Sequence, residues 1–344
     1  MQHEAIIIIR VMGLVAILLI CSIYLVVRRV PVGNTVVNIP MHPVVSSEDK
    51  GLVIPVHYTR AGVYVARLHV GPSRDPVECV LDTGSRHLSI RALDISTPGE
   101  VLNGPRTLYY GSQTDTVQWQ STLVNMCCRA GRPVPYTLKV AVAHARTCST
   151  SRCFNVLGLS TGGSHTDDVI PVLEQLAGGS EDLSFCVALR DRTGGELRIN
   201  RNCLENEGMH VFRLISGTNW YLTHLVGVFQ EPPDGRPPIP LRGSWPDKIM
   251  IDTGSNMLGT SAARTRELHR VFAARGQGNL ILRMLKYDYT TYDYVVPESV
   301  YRYDNGDLLV DPHEVRNDIL VMGAMFLIGR EIAVNSSRRC LGIR

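Results

Sequence analysis

Residues 80–90 of the chain read VLDTGSRHLSI. An apolar run that ends on Asp82 and passes at once into Thr83-Gly84-Ser85 poses a choice of readings. Val80 and Leu81 have the character of a buried strand end, where a carboxylate is costly unless something nearby satisfies or uses it. A simple turn would account for one such tetrapeptide, because Asp bonds its own backbone and Gly tolerates positive φ. Residues 249–259, IMIDTGSNMLG, then repeat the device with Asp252-Thr253-Gly254-Ser255. Chance supplies a second copy at roughly a few parts per thousand in a chain of this length. Two carboxylates delivered by two similar halves would form a pair that cannot both ionise in close contact and therefore shares one proton. One acid and one base then stand side by side.

The repetition extends beyond the tetrapeptides. FNVLGLS at 154–160 follows the first motif and ILVMGAMF at 319–326 follows the second, each with an apolar pair leading into a glycine, Gly158 and Gly323. Such a glycine admits another backbone close to the loop bearing the aspartate, while the apolar pair fills the core of that half. Elsewhere the pattern is one of short alternating runs: VYVARLHVG, ECVLD, YTLKVAVAHA, LSFCVALRD, GELRIN, WYLTHLVGVF and YVVPESVYRY. These predict a mostly β protein. Two helices are expected, one over 167–177 capped by Asp and one over 261–276 opened by Ser261 and closed by Gly276.

A chain of 344 residues accommodates one lobe per motif. The formal net charge of +3 gives no case for a nucleic-acid partner or an acidic substrate. Residues 5–27 are apolar apart from Arg10 and Ser22 and are long enough to span a bilayer. They are read as a transmembrane signal anchor within 1–29, with a cleaved signal peptide and a core helix as alternatives. The Pro- and Gly-containing stretch 30–51 reads as a stalk or short pro-segment, and the folded body begins near Leu52. Arg28-Arg29 favour a cytosolic body, whereas cysteine usage favours the opposite side. The expectation is a single-pass type II protein whose body faces the lumen, the exterior or a virion surface. Of nine cysteines, eight follow the apolar segment, an even number that suits disulfides. Cys148 and Cys153 are the best local pair, and Asn335-Ser336-Ser337 is an N-glycosylation sequon. No paired C-x-x-C or H-x-x-x-H spacing occurs, so no metal or cofactor is implied.

Taken together, VLDTGS, TLYYGS, FNVLGLS, DDVIPVLEQLA, LSFCVAL, WYLTHLVGV, MIDTGSNML, YVVPESVYRY and the closing VMGAMFLIGREIAVNSSRRCLGI resemble, in order, the pepsin-like aspartic endopeptidases. The resemblance covers about residues 55–344, and the closing segment is most similar to the membrane-bound β-secretase branch. It implies an all-β, bilobal fold, with an N-terminal lobe over 52–200, a C-terminal lobe over 201–344 and a polypeptide substrate bound in the cleft between them. It implies catalytic roles for Asp82 and Asp252, cross-bracing of the loops by Thr83 and Thr253, and amides of Gly84 and Gly254 presented to the carboxylates. It further implies a hydrogen bond from Ser85 to Asp82, with Ser255 as its counterpart in the second loop. A β-hairpin flap tipped by Tyr110-Gly111 would close over the substrate, with Tyr109 as the alternative tip residue and Trp119 in phase on the returning strand. Many relatives carry Trp four residues beyond the motif serine to anchor the flap tyrosine, and this chain has Ser89 there. The unit implied is a monomeric, membrane-anchored endopeptidase. A binding or inhibitory protein on the same scaffold without turnover is the alternative; a retroviral-type homodimer is disfavoured because this chain already holds two motifs.

Overall fold

Alternation of apolar and polar residues becomes β-strand over most of the chain that the computed structural model describes, namely residues 52–72, 75–127, 133–149, 153–161, 170–178, 183–218, 220–275, 278–301, 310–311 and 319–344. The apolar stretch 5–27 and the stalk 30–51 lie outside these residues. No helix among the described residues is long and apolar enough to cross a membrane. All of the described residues fall in one compact unit, Met41–Arg344.

The strands form two sheets, and each of the two repeated motifs ends a strand in a different one. The larger sheet has thirteen strands. From one edge it runs His210–Arg213, Cys340–Ile343, Arg330–Asn335, Ser184–Leu189, Gly194–Ile199, Leu52–Tyr58, Tyr64–Val70 and Val77–Asp82. It continues through Asn155–Gly158, Leu88–Arg91, Pro133–Cys148 and Gln113–Cys127 to the edge strand Glu100–Tyr110. Tyr64–Val70 pairs additionally with Gln113–Cys127, so this part of the sheet curls back on itself. The second sheet has eight strands, with Lys248–Asp252 and Ile319–Gly323 at its centre and Leu222–Glu231, Asn279–Leu285 and Thr291–Val296 to one side. Strands Arg330–Asn335 and Cys340–Ile343, close to the C-terminus, join the larger sheet through Ser184–Leu189, so the two halves of the chain share that sheet.

Burial follows position in the sheets. Ser184–Leu189 is buried at all six residues, as a central strand covered on both faces must be. Each Leu, Val or Phe sequestered in this way contributes about 1.5–3 kcal/mol. The main core runs continuously from Ile54 and Leu81 through Phe185 and Leu197 to Ile251, Met322 and Ile343.

Several local expectations are corrected. The helix predicted over 167–177 is described only as Val172–Ala177, with Pro171 at its start and no side-chain cap. Proline disfavours helical geometry in the residue before it, so Ile170 lies outside the helix; residues 167–169 fall outside the described chain. YVVPESVYRY is not one extended run: the strand ends at Val296, and Pro297 leads into the short helix Glu298–Tyr301. Proline lacks the N–H that a ladder needs, and a helix start does not need it. The second long helix runs Ala262–Arg275, and Ser261 accepts from the N–H of Arg264 through its hydroxyl and of Thr265 through its carbonyl. The sequon asparagine, Asn335, is fully buried at a strand end, where its Oδ1 accepts from the Arg338 N–H. It has no room for a glycan in the folded chain. Cys148 and Cys153 are bridged, whereas Cys79, Cys186, Cys203 and Cys340 are buried thiols.

Candidate active site

Both D-T-G-S loops are built in the same way. Val77–Asp82 lies parallel to Asn155–Gly158 with Asp82 opposite Gly158, and Lys248–Asp252 lies parallel to Ile319–Gly323 with Asp252 opposite Gly323. After each loop the chain returns antiparallel to the glycine-ending strand, pairing Leu88 with Leu157 and Leu258 with Met322. The returning backbone passes so close that a side chain at either glycine would collide. A Cβ on Gly158 would sit 2.5 Å from the His87 nitrogen, and one on Gly323 would sit 2.4 Å from the Met257 oxygen. The contact is a bonded one, since Gly158 N–H donates to His87 C=O at 3.0 Å and Gly323 N–H to Met257 C=O at 3.1 Å. The apolar pairs and the glycines thus fix where each aspartate leaves its strand.

The two loops meet through their threonines, both fully buried. Thr83 Oγ1 donates to Ile251 C=O at 2.8 Å and accepts from Thr253 N–H at 3.0 Å. In the reciprocal set, Thr253 Oγ1 donates to Leu81 C=O at 2.8 Å and accepts from Thr83 N–H at 3.2 Å. Four hydrogen bonds with near two-fold symmetry therefore hold the ends of the aspartate strands together, inside the core, where each is shielded from water. A further tie comes from Tyr221, whose hydroxyl donates to Leu159 C=O at 2.6 Å, one residue beyond Gly158.

This bracing brings Asp82 and Asp252 into contact. Gly84 N–H donates to Asp82 Oδ1 at 2.7 Å, and Gly254 N–H to Asp252 Oδ1 at 3.0 Å. A Cβ on Gly254 would lie 2.5 Å from Asp82 Oδ1, and one on Gly84 would lie 3.0 Å from Asp252 Oδ1. At Gly254 only glycine leaves space for the opposite carboxylate, and at Gly84 a side chain would press on it. The Asp252 pKa is raised well above the usual carboxylate value, first by burial, then by the charge of Asp82, and then by a hydrogen bond with Asp82. Its amide contacts oppose the rise without cancelling it. Both aspartates still keep partial exposure, so the pair meets solvent. A carboxyl that holds its proton, in contact with a second carboxyl, is suited to moving a proton onto one atom and off another.

The serines differ from expectation. Ser85 Oγ is buried without a hydrogen-bond partner and does not reach Asp82. The loop is already closed by main chain, Ser85 N–H to Asp82 C=O at 3.4 Å and Ser160 N–H to Ser85 C=O at 2.8 Å, which sets the residue without using its hydroxyl. Ser255 Oγ donates to Met257 C=O at 3.4 Å.

Glu100–Tyr110 and Gln113–Cys127 form the hairpin, with Gly111-Ser112 at its tip. Strand alternation separates the two tyrosines: Tyr109 is 80% exposed, while Tyr110 turns inward. Burial raises the Tyr110 pKa, Ser89 lowers it, and the charges of Asp115 and Asp82 reach it; the Tyr110 hydroxyl itself is buried without a hydrogen-bond partner. Gly111 has open space around it, so no close approach demands a glycine there. Trp119 is buried beneath the hairpin, packed edge-on against His87 at 4.8 Å.

A buried ion pair that the sequence reading missed lies next to Tyr110. Arg146 grips Asp115 with two bonds of 2.8 Å, the two side chains being 7% and 0% exposed. Ser89 Oγ donates to Asp115 at 2.8 Å, and Gln113 Nε2 at 3.0 Å. Arg146 also bonds Asn155, on the strand that ends at Gly158. The available signal was phase: Gln113, Asp115, Val117 and Trp119 alternate on the buried face of one strand. A second missed group is Cys186, Cys203 and Glu331, drawn from separate parts of the chain.

No protein-family model matches the chain, and a search of curated proteins found no match.

Proposed function

We propose that the chain is an aspartic endopeptidase with the two-lobed pepsin-like architecture, hydrolysing peptide bonds of extended polypeptides. The observation that carries the proposal is the contact between Asp82 and Asp252, each at the end of a strand in its own sheet, locked by the reciprocal threonine bonds. The pair holds a water molecule and one proton. In the resting state the pair shares one proton, which the raised pKa of Asp252 seats on that residue. Asp82 accepts a proton from the water as its oxygen attacks the scissile carbonyl carbon. Asp252 donates its proton to the carbonyl oxygen, giving a neutral gem-diol. Asp82 then passes its proton to the amide nitrogen, a gem-diol hydroxyl gives its proton back to the pair as the C–N bond breaks, and the pair is left with one proton.

The hairpin supplies the second element. Among the described residues Glu100–Tyr110 is the edge strand of its sheet, and its outer backbone groups have no strand partner there. An extended substrate laid beneath the hairpin gains main-chain hydrogen bonds, and the hairpin excludes bulk water from the reacting carbonyl. Tyr110, turned inward within electrostatic reach of Asp82, borders the reacting centre.

The test uses the purified full chain, a peptide library at acid to mildly acid pH, and the variants Asp82→Asn and Asp252→Asn. Asn preserves shape and the amide contacts but transfers no proton. Each variant should fold as the parent does and cleave at background rate, and a statine-type inhibitor should block the parent. Undiminished cleavage by either folded variant would overturn the proposal. Tight peptide binding by the parent without any cleavage would favour the binding protein instead.

A further inference from the structure

On the sheet that carries Asp82, but among strands from the other end of its order, Cys186 Sγ, Cys203 Sγ and a Glu331 carboxylate oxygen all lie within 4.8 Å of one another. Cys186 sits in the central strand Ser184–Leu189, opposite Arg198 on one neighbouring strand and Ala333 on the other. Cys203 belongs to the turn after Gly194–Ile199, where Asn200 takes φ 59° and the chain folds back over the sheet. Cys186, Cys203 and Ala333 form a small apolar cluster capped by Leu204 and Met209. Cys186 and Cys203 are 0% and 2% exposed.

We infer that Cys186 and Cys203 are joined by a second disulfide in the mature protein, pinning the 200–209 turn to the central strand. Three observations favour this over a metal centre. Among the described residues the cluster offers three ligand atoms, one short of a closed structural zinc site. Its carboxylate is already occupied: Glu331 pairs with Arg198 and Arg344, and it accepts from Asn206 Nδ2 at 3.1 Å and from Cys186 Sγ at 3.0 Å. Two guanidinium groups beside it would repel a divalent cation. The thiols, by contrast, are prepared for exchange. Contact with the Cys186 sulfur lowers the Cys203 pKa, with help from Arg198 and against burial and the charge of Glu331, while the same contact, burial and Glu331 raise that of Cys186. Cys203 is therefore the nucleophile.

The oxidant required is a small-molecule or protein disulfide. Cys203 thiolate attacks one sulfur of that disulfide, an S–S bond forms to Cys203, and the first thiolate leaves with the electron pair of the broken bond. Cys186 attacks Cys203 Sγ, and the second thiolate leaves with the electron pair of the broken bond and takes up the Cys186 proton. The two cysteines lose two electrons and two protons, and the oxidant is reduced to two thiols.

The experiment is peptide mapping of the full chain made in a secretory system, its free thiols trapped with N-ethylmaleimide in denaturant before digestion without reductant. The result expected is a crosslinked peptide containing Cys186 and Cys203, separated by reduction and absent from Cys203→Ser, with Cys79 and Cys340 recovered as alkylated thiols. The wild-type map alone decides the matter if the variant fails to fold. Recovery of Cys186 and Cys203 as alkylated thiols in protein whose Cys148–Cys153 bridge is formed would overturn the inference. So would pairing of either with another cysteine, or stoichiometric zinc that is removed by a chelator and protects both thiols from alkylation in the native protein. None of these results depends on whether the protein cleaves peptides.

Discussion

Replacing Asp115 by alanine removes the acceptor of a guanidinium that has little other recourse. Arg146 is 7% exposed, and beyond the two 2.8 Å bonds to Asp115 its remaining partner of note is Asn155 Oδ1 at 3.1 Å. Ser89 and Gln113 lose their acceptor as well, although Gln113 Nε2 keeps Phe154 C=O at 3.0 Å. A buried charge left unpaired in this way costs about 3–5 kcal/mol, a substantial part of the roughly 5–15 kcal/mol that holds a domain folded. Arg146→Leu alone strands the Asp115 carboxylate, fully buried, at a similar cost. Asp115→Leu combined with Arg146→Leu removes both charges together and is expected to cost no more than about 2 kcal/mol. The assay is urea unfolding followed by tryptophan fluorescence, since Trp119 lies two strand-steps from Val117 and reports on the same buried face. A double-mutant cycle using the leucine variants should give a coupling energy above about 2 kcal/mol. Additivity within about 0.5 kcal/mol would refute the claim that this pair acts as a unit beneath the hairpin. The functional consequence runs through Ser89, which stands beside Tyr110: a folded Asp115→Asn variant should show a raised KM for peptides with kcat less affected, because the hairpin is positioned less firmly.

What could be read from the sequence was whatever repeats or stays local. The two D-T-G-S loops and the glycines Gly158 and Gly323 were legible because each half repeats one geometric solution, a parallel pair with a backbone crossing its end. Cys148–Cys153 was legible because its partners are five residues apart. Element boundaries were misjudged where proline changes the local rule, at Pro171 and at Pro297, although both prolines stand in plain view. The buried polar groups were illegible for a different reason. Asp115 and Arg146 are 31 residues apart, and Cys186 and Glu331 are 145 apart, so their meeting depends on strand order and register that no local pattern encodes. Asn335 shows the converse error: the sequon is a local string, and its burial is a property of the sheet around it. The hydroxyl of Ser85 belongs with these, since main-chain bonds from both directions close its loop and leave the side chain no part in it.

Two further outcomes follow from the paired loops. Gly254→Ala places a Cβ where Asp82 Cγ and Oδ1 lie 2.5 Å away, so Asp82 must move; peptide cleavage should fall at least about 100-fold in a protein that still folds, and wild-type rates would overturn the close-approach argument. The second concerns stability and pH. Burial and the charge of Asp82 raise the Asp252 pKa in the folded state, so the folded protein binds this proton more tightly than the unfolded chain does. Between the ordinary carboxylate pKa near about 4 and the raised folded value, the folded state then holds the excess proton, and stability falls as pH rises, by at most about 1.4 kcal/mol per pH unit for one proton. Above the folded value the loss is complete and constant. Asp252→Asn removes the titration while its Oδ1 still accepts from Gly254 N–H, so the variant should be more stable than the parent at neutral pH and lose that advantage as the pH falls toward 4. Thermal unfolding of both proteins across this range measures the difference directly. A parent that instead gained on the variant with rising pH would mean that Asp252 is favoured as the anion, and the shared proton would have to be abandoned.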